Sequence, residues 1–317
     1  MTHVRPAATV AQWVEVHRLA VAGREPVIAR HVGHRVARVW LRTSRFADVE
    51  ALATATLTLG PDAGAFYDLG WAQAATGRPR PALKSYEQAL HLHREADDHG
   101  NEAATLTSIG AMYDGLGDRQ QALTYYRQAL PIAREVGDRA GEAAALNNIG
   151  RVYDGLGDRQ QALAYYRQAL PIMREVGYRT GEAVTLNNIG LAYDGLGDRR
   201  QALTYYRQAL PIRREVGDRA GEATTLNNIG LIRFQEGDHA GAENAFVEVL
   251  EVFRTVGDRG SEAMVSFSMA VLLLRMARVD DAIGVQRRAV ELAEETNHPA
   301  LDEMQAFLIE LEQTKKG

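Results

Sequence analysis

A segment of forty residues recurs along this chain, and recurrence on that scale constrains the fold more than any single motif. Residues 138–177 read DRAGEAAALNNIGRVYDGLGDRQQALAYYRQALPIMREVG, and residues 178–217 repeat them at 31 of 40 positions. Residues 98–137 carry the same unit. Residues 218–257 keep GEATTLNNIG and then drift, and weaker copies occupy 62–97 and 258–297. The chain has 317 residues, more than one compact core usually holds. Growth by repetition accommodates that length, because each unit buries its apolar faces against its neighbours.

Each unit contains two helical patterns. In the first, Leu146, Ile149, Gly150 and Tyr153 share a face at i, i+3, i+4, i+7 spacing. Gly155-Leu156-Gly157 then signals a turn, and Asp158 is placed to cap the next helix. The second helix puts Ala162, Tyr166, Ala169 and Leu170 on one face and stops near Gly177, with Asp138 or Gly141 opening a unit. Small residues at Gly150, Ala162 and Ala169 let paired helices approach closely. Pro131, Pro171 and Pro211 fall inside the second helices, where His91 and Glu251 stand in neighbouring units. An interior proline removes one hydrogen bond, so the three are read either as tolerated kinks copied by duplication or as setters of groove curvature.

The residues Leu146, Ile149-Gly150, Tyr153, Ala162, Tyr166 and Ala169 resemble the signature of the tetratricopeptide repeat. The resemblance covers roughly residues 26–297 and is strongest over 98–257. The usual unit has 34 residues; the longer unit here, with GDRxGEA between copies, is similar to the repeats of kinesin light chains and spindle-orientation adaptors. It is also similar to those attached to bacterial signalling ATPases and caspase-like proteases. The resemblance implies an all-α fold, a right-handed α-solenoid of stacked antiparallel helix pairs. The expected divisions are 1–61, divergent helices and a degenerate first repeat; 62–297, six repeats; and 298–317, a capping helix and tail. In that last segment Leu301, Met304, Phe307, Leu308 and Leu311 form a stripe opposite Glu303, Glu310 and Glu312.

Composition narrows the function. The apolar fraction is 46%, which fits a folded chain. No stretch approaches the ~18 apolar residues of a membrane span, and the first residues lack a signal-peptide core. There is no cysteine, so thiolate metal sites and cysteine nucleophiles are excluded, and a cytoplasmic chain is expected. A net charge of −5 argues against nucleic acid as the main partner, as do the five arginines and five acids of block 138–177. That charge is read mainly as a solubilising surface. No P-loop, dinucleotide fingerprint, HExxH or GxSxG pattern occurs, so no enzyme and no cofactor are expected. His17, His31 and His34 lie among arginines and are read as solvated rather than metal-binding, and Asp280-Asp281 as a helix-start charge pair.

The paired asparagines remain to be explained. Asn147-Asn148, Asn187-Asn188 and Asn227-Asn228 recur at one point of three units, although asparagine is a poor helix former. In the resembling family the first helices line a concave groove. The resemblance implies lining positions at Asn147, Asn148, Arg151 and Asp154; at Asn187, Asn188, Leu191 and Asp194; and at Asn227, Asn228 and Leu231, with Phe234 fourth and Gln235 beside it. In the preceding unit the set is Thr107, Ser108, Ala111 and Asp114. An amide offers donors and an acceptor, so a ladder of them can hold an extended peptide backbone. The alternatives are bonds between neighbouring first helices and a neutral feature spread by duplication. Arg151 is expected to meet an acidic ligand group, and Leu191 and Leu231 an apolar one.

The expected function is a non-catalytic scaffold for a protein or peptide partner. The alternative is the sensor arm of a bacterial signalling or defence system that controls a separate effector enzyme. Richness in alanine and arginine suggests a high-GC bacterium. A monomer is expected, with self-association through open ends as the other possibility.

Overall fold

The computed structural model describes residues 9–315, which form sixteen α-helices and no strand. The chain divides into two compact units, one ending at Leu156 and the other beginning at Gly157. The first unit holds α1 (Val10–Ala22), α2 (Pro26–Arg42), α3 (Phe46–Leu57), α4 (Ala63–Ala75), α5 (Pro79–Glu95), α6 (His99–Gly115), α7 (Arg119–Glu135) and α8 (Arg139–Gly155). The second holds α9 (Arg159–Glu175), α10 (Arg179–Gly195), α11 (Arg199–Glu215), α12 (Arg219–Gln235), α13 (His239–Val256), α14 (Arg259–Arg275), α15 (Val279–Glu295) and α16 (Leu301–Thr314). Within each unit consecutive helices pack in tandem, which is the architecture of an α-solenoid.

The forty-residue period consists of two equal steps. A left-handed residue recurs every twenty positions: Gly117 and Gly137, then Gly157, Gly177, Gly197, Gly217, Gly237 and Gly257, with φ between 68° and 85°. Each lies just past a helix end, where glycine takes this conformation without a Cβ penalty. An aspartate follows and starts the next helix. Asp118 accepts from the Gln121 N–H at 3.1 Å, Asp158 from Gln161 at 3.1 Å and Asp218 from Gly221 at 2.9 Å. Tyr178 breaks this rule. It makes no side-chain cap, and its ring instead covers Gly181, where a Cβ would come within 2.6 Å of it.

Inside a pair, the second helix drives an aromatic ring onto a glycine of the first. Tyr126, Tyr206 and Phe246 are fully buried, and a Cβ at Gly110, Gly190 or Gly230 would stand 2.5–2.8 Å from the ring. Burial pushes the Tyr126 hydroxyl up to about 12. The prolines 131, 171 and 211 lie on exposed positions inside helices that continue past them.

The repeat's charges do more than solubilise. A buried glutamate in the first turn of each first helix takes an arginine from the last turn of the helix before it. Arg94–Glu102, Arg134–Glu142, Arg174–Glu182, Arg214–Glu222 and Arg254–Glu262 meet at 2.6–2.9 Å. A second arginine, three residues ahead of the glutamate, closes the clasp at Arg139–Glu142, Arg179–Glu182 and Arg219–Glu222. The GDRxGEA segment is therefore a connector between helix pairs. Burial pushes the Glu222 carboxyl up, but hydrogen bonds from Arg214 and Arg219 outweigh it and hold the group below its ordinary value.

At the end of the second unit, α16 covers the last pair. Met304 and Leu311 are buried, Gln286 donates to the Met304 carbonyl at 2.7 Å, and Phe307 meets Phe267 edge to face. Among the described residues no helix is long and apolar enough to cross a membrane.

Candidate partner-binding surface

The first helices of neighbouring pairs touch one another within each unit, α2 with α4 and α6 with α8, then α10 with α12. Their shared face carries the positions expected to line a groove. The structure separates the two asparagines in two of the three pairs. Asn147 and Asn187 are buried, at 7% and 5% exposure, and the Asn187 carbonyl oxygen accepts from the Thr225 hydroxyl of the next first helix at 3.1 Å. Asn148, Asn188 and Asn228 are half-exposed, as is Asn227. The buried member braces helix to helix, a requirement that turns an unfavourable helix residue into a useful one. The second member lies one 100° step around the helix and is partly exposed, although the Asn228 Nδ2 is itself buried.

Arg151 does not await a ligand anion: it pairs with Asp114 of α6, whose side chain is nearly buried. Asp154 and Asp194 are half-buried, and Leu191 and Leu231 are exposed. Of the earlier set, Thr107 and Ser108 turn their hydroxyls back to the Ala103 and Ala104 carbonyls, and Ser108 also meets the Tyr67 hydroxyl at 3.2 Å. Ala111 lines a cavity.

Two open cavities lie on this face. In the first unit, a cavity of about 380 Å³ is walled by Tyr67, Trp71, Tyr86, Ala111 and Met112. Trp71 is 46% exposed and stands edge to face with Tyr67. Sequence reasoning passed over Trp71, yet it lies eighty residues, two repeats, before Arg151 and so occupies the same register. In the second unit, a cavity of about 580 Å³ opens between α12 and α14, lined by Asn227, Leu231, Phe253, Met264 and Val265, with Ser268 at its edge. Two of the expected site residues thus share one cavity, and Met264 and Ser268 join them from a repeat too divergent to have been included.

Of the three histidines expected to be solvated, His31 and His34 are exposed and His17 is not. His17 is buried and hydrogen-bonds the Thr56 hydroxyl at 2.8 Å, because α1 packs over α2 and α3 rather than leaving that face in water. Burial pushes its imidazole below its ordinary value. His34 hydrogen-bonds the buried Asp68 at 3.1 Å. That bond raises His34, and burial raises Asp68. His31 is exposed.

The Tetratricopeptide repeat profile matches residues 82–135, 101–175, 141–215 and 221–295. The chain is a tetratricopeptide repeat protein. No curated protein matches the sequence. Among solved structures, the fold is similar to a signal transduction ATPase with numerous domains from Pyrococcus horikoshii, which carries a tetratricopeptide repeat sensor. The TM-score is 0.76 at 14% identity, over 99% of this chain and 50% of that one. This chain therefore spans about half the length of that protein. It is also similar to BtubC from P. vanneervenii, at TM-score 0.62 and 20% identity over 68% of this chain and 92% of that one. A Rap protein complexed with competence and sporulation factor gives TM-score 0.61 and 14% identity over 96% and 98%. At these identities the likeness concerns the tetratricopeptide repeat fold.

Proposed function

We propose that this tetratricopeptide repeat protein is a non-catalytic scaffold that holds an extended peptide, or an extended segment of a partner protein, on the first-helix face. The observation that carries the reading is the α12–α14 cavity, where the exposed Leu231 and Met264 stand beside the Asn227 amide in one open space. Exposed apolar side chains grouped around convergent polar groups are the usual composition of a binding surface. The partly exposed Asn148, Asn188 and Asn228 offer amide groups to a ligand backbone. Leu191 and Leu231 supply apolar contact, and Asp154 and Asp194 disfavour acidic ligand groups at their positions. Asn187 keeps α10 and α12 in register. Arg151, held by Asp114, shapes the surface without offering a free charge. The ligand is neither nucleic acid nor lipid on this reading, the chain works as a monomer, and the compartment is the cytoplasm.

A second reading is supported by the likeness to an ATPase with a tetratricopeptide repeat sensor. In it, the same face recognises a trigger and the consequence is passed to a separate effector enzyme.

The test is selection from a random-peptide display library on the whole chain. The comparison is a chain carrying Asn188→Ala, Asn228→Ala and Leu231→Ala, after both are shown to melt alike. Peptides enriched by the wild type are expected to bind the variant at least about tenfold more weakly, the loss of roughly one desolvated contact. Equal binding by both chains would move recognition off this face. Placing the selected peptide with a chain that carries a linked NTPase, and reading turnover, separates the sensor reading from the scaffold.

A further inference from the structure

The α12–α14 cavity has a counterpart one repeat earlier, and there the protein fills the space itself. Arg213, at the end of α11, is 7% exposed and ion-pairs with Asp218, the cap of α12. Its guanidinium lies over Gly221, leaving no room for a Cβ there. Forty residues on, the cap is Asp258, the glycine is Ser261, and the arginine has become Phe253. In the first unit the same register holds His93, which meets Asp98 at 3.5 Å and whose imidazole burial pushes below its ordinary value, and the repeats between carry Ala133 and Met173.

With Phe253 where the preceding repeat has Arg213, Asp258 is exposed and engaged only as a cap. Asp258 accepts from the Ser261 N–H at 3.0 Å, and among the described residues no cationic side chain pairs with it. The cavity beside it has an apolar wall of Leu231, Phe253, Met264 and Val265; its lining contains neither arginine nor lysine, and its one histidine, His298, accepts the Ala300 N–H on Nδ1 at 3.1 Å. The chain around it is acidic: residues 218–317 hold 18 aspartates and glutamates against 10 arginines and lysines. A long side chain with an apolar stem and a positive end suits such a site. Its stem can lie along the wall while its charge meets the carboxylate.

We propose that this cavity takes an arginine side chain of the partner peptide, with the guanidinium on Asp258 and the stem against Phe253 and Met264, reproducing from outside the Arg213–Asp218 pair of the preceding repeat. The inference rests on the partner-binding reading and names one residue type that the partner carries.

The experiment is an amide-resolved NMR titration of the whole chain at low salt with N-acetyl-arginine N-methylamide. The corresponding citrulline derivative, a neutral isostere, and the norleucine derivative serve as comparisons. The arginine probe is expected to shift the amides of residues 227–231 and 258–265 in a saturating manner, and the citrulline probe to bind about tenfold more weakly or worse, as loss of a charge-assisted bond implies. Asp258→Asn keeps the cap, since asparagine caps as well as aspartate, and is expected to bring arginine binding down to the citrulline level. Phe253→Arg supplies the missing internal cation and is expected to abolish the shifts. Should that variant fail to fold, Asp258→Asn alone decides. Equal binding of the norleucine probe, unchanged binding to Asp258→Asn, or arginine shifts located elsewhere would each overturn the proposal. If the arginine fails while display-selected peptides still require Asn188, Asn228 and Leu231, the scaffold reading stands and only this pocket assignment falls.

Discussion

Replacing Glu222 by Gln tests whether the clasps join one helix pair to the next. The carboxylate is 3% exposed and receives Arg214 Nε at 2.6 Å on one oxygen and Arg219 Nη1 at 2.8 Å on the other. Glutamine keeps the shape but only one acceptor: the bond to that oxygen loses the carboxylate's charge, and the amide NH2 faces the other guanidinium donor and accepts nothing. Charge-assisted bonds contribute about 1.5–3 kcal/mol each and neutral ones about 1. Both guanidiniums are about half exposed, at 48% and 56%, so water screens them and the loss must be discounted. A destabilisation of about 1–2 kcal/mol remains, and a unit of this size loses about 2–4 °C of Tm per kcal/mol.

The pH dependence gives the sharper test. Because the folded carboxyl sits below its ordinary 4.5, its stabilisation is fully present above that value. It disappears as pH falls through the lower folded value. Urea unfolding of wild type and Glu222→Gln should therefore differ at pH 7 and converge in acid, below 4.5, as the carboxyl takes up its proton. About 1 M salt, with a Debye length near 3 Å, should shrink the pH 7 difference. A difference that is absent at pH 7, or that persists undiminished in acid, would refute the account.

Gly190→Ala places a methyl 2.5 Å from the Tyr206 ring and should cost about 1–3 kcal/mol by overpacking, read as a lower urea midpoint and relieved when Tyr206→Leu is added. Tyr178→Asp should restore the cap that its equivalents Asp138 and Asp218 provide, raising stability by about 0.5–1 kcal/mol after loss of the ring's cover on Gly181; a melting curve that does not move upward would count against the capping argument.

The helices and their ends could be read in the sequence because the signals that set them are local. Gly157 and Asp158 carry their own conformational preference and capping chemistry wherever they stand. The clasps were harder to see. Arg214 and Glu222 are eight residues apart across a turn, and nothing in that spacing alone tells an ion pair from two solvated charges. Only the close approach of α11 to α12 buries the glutamate. The asparagines posed a problem of angle. Asn187 and Asn188 differ by one residue, and the rotation of α10 against α12 decides which one meets Thr225. Trp71 stood in the groove register all along, but α4 has drifted so far from the repeat that its alignment depends on Gly70 beneath Tyr86. His17 required knowledge of where α1 packs, which no periodicity within α1 supplies.

The equal twenty-residue step has a consequence for how such a gene changes length. Each Arg–Glu clasp between helices joins a helix to the one that follows, and from α5 to α12 every turn has three residues between seventeen-residue helices. A recombination event that inserts or deletes one repeat of coding sequence therefore leaves each remaining junction with a correct neighbour. Near-identical segments such as 138–177 and 178–217 are the substrates on which that recombination acts. The length of the first-helix face thus becomes a quantity that changes by whole hairpins, with the local geometry of each remaining turn unaltered.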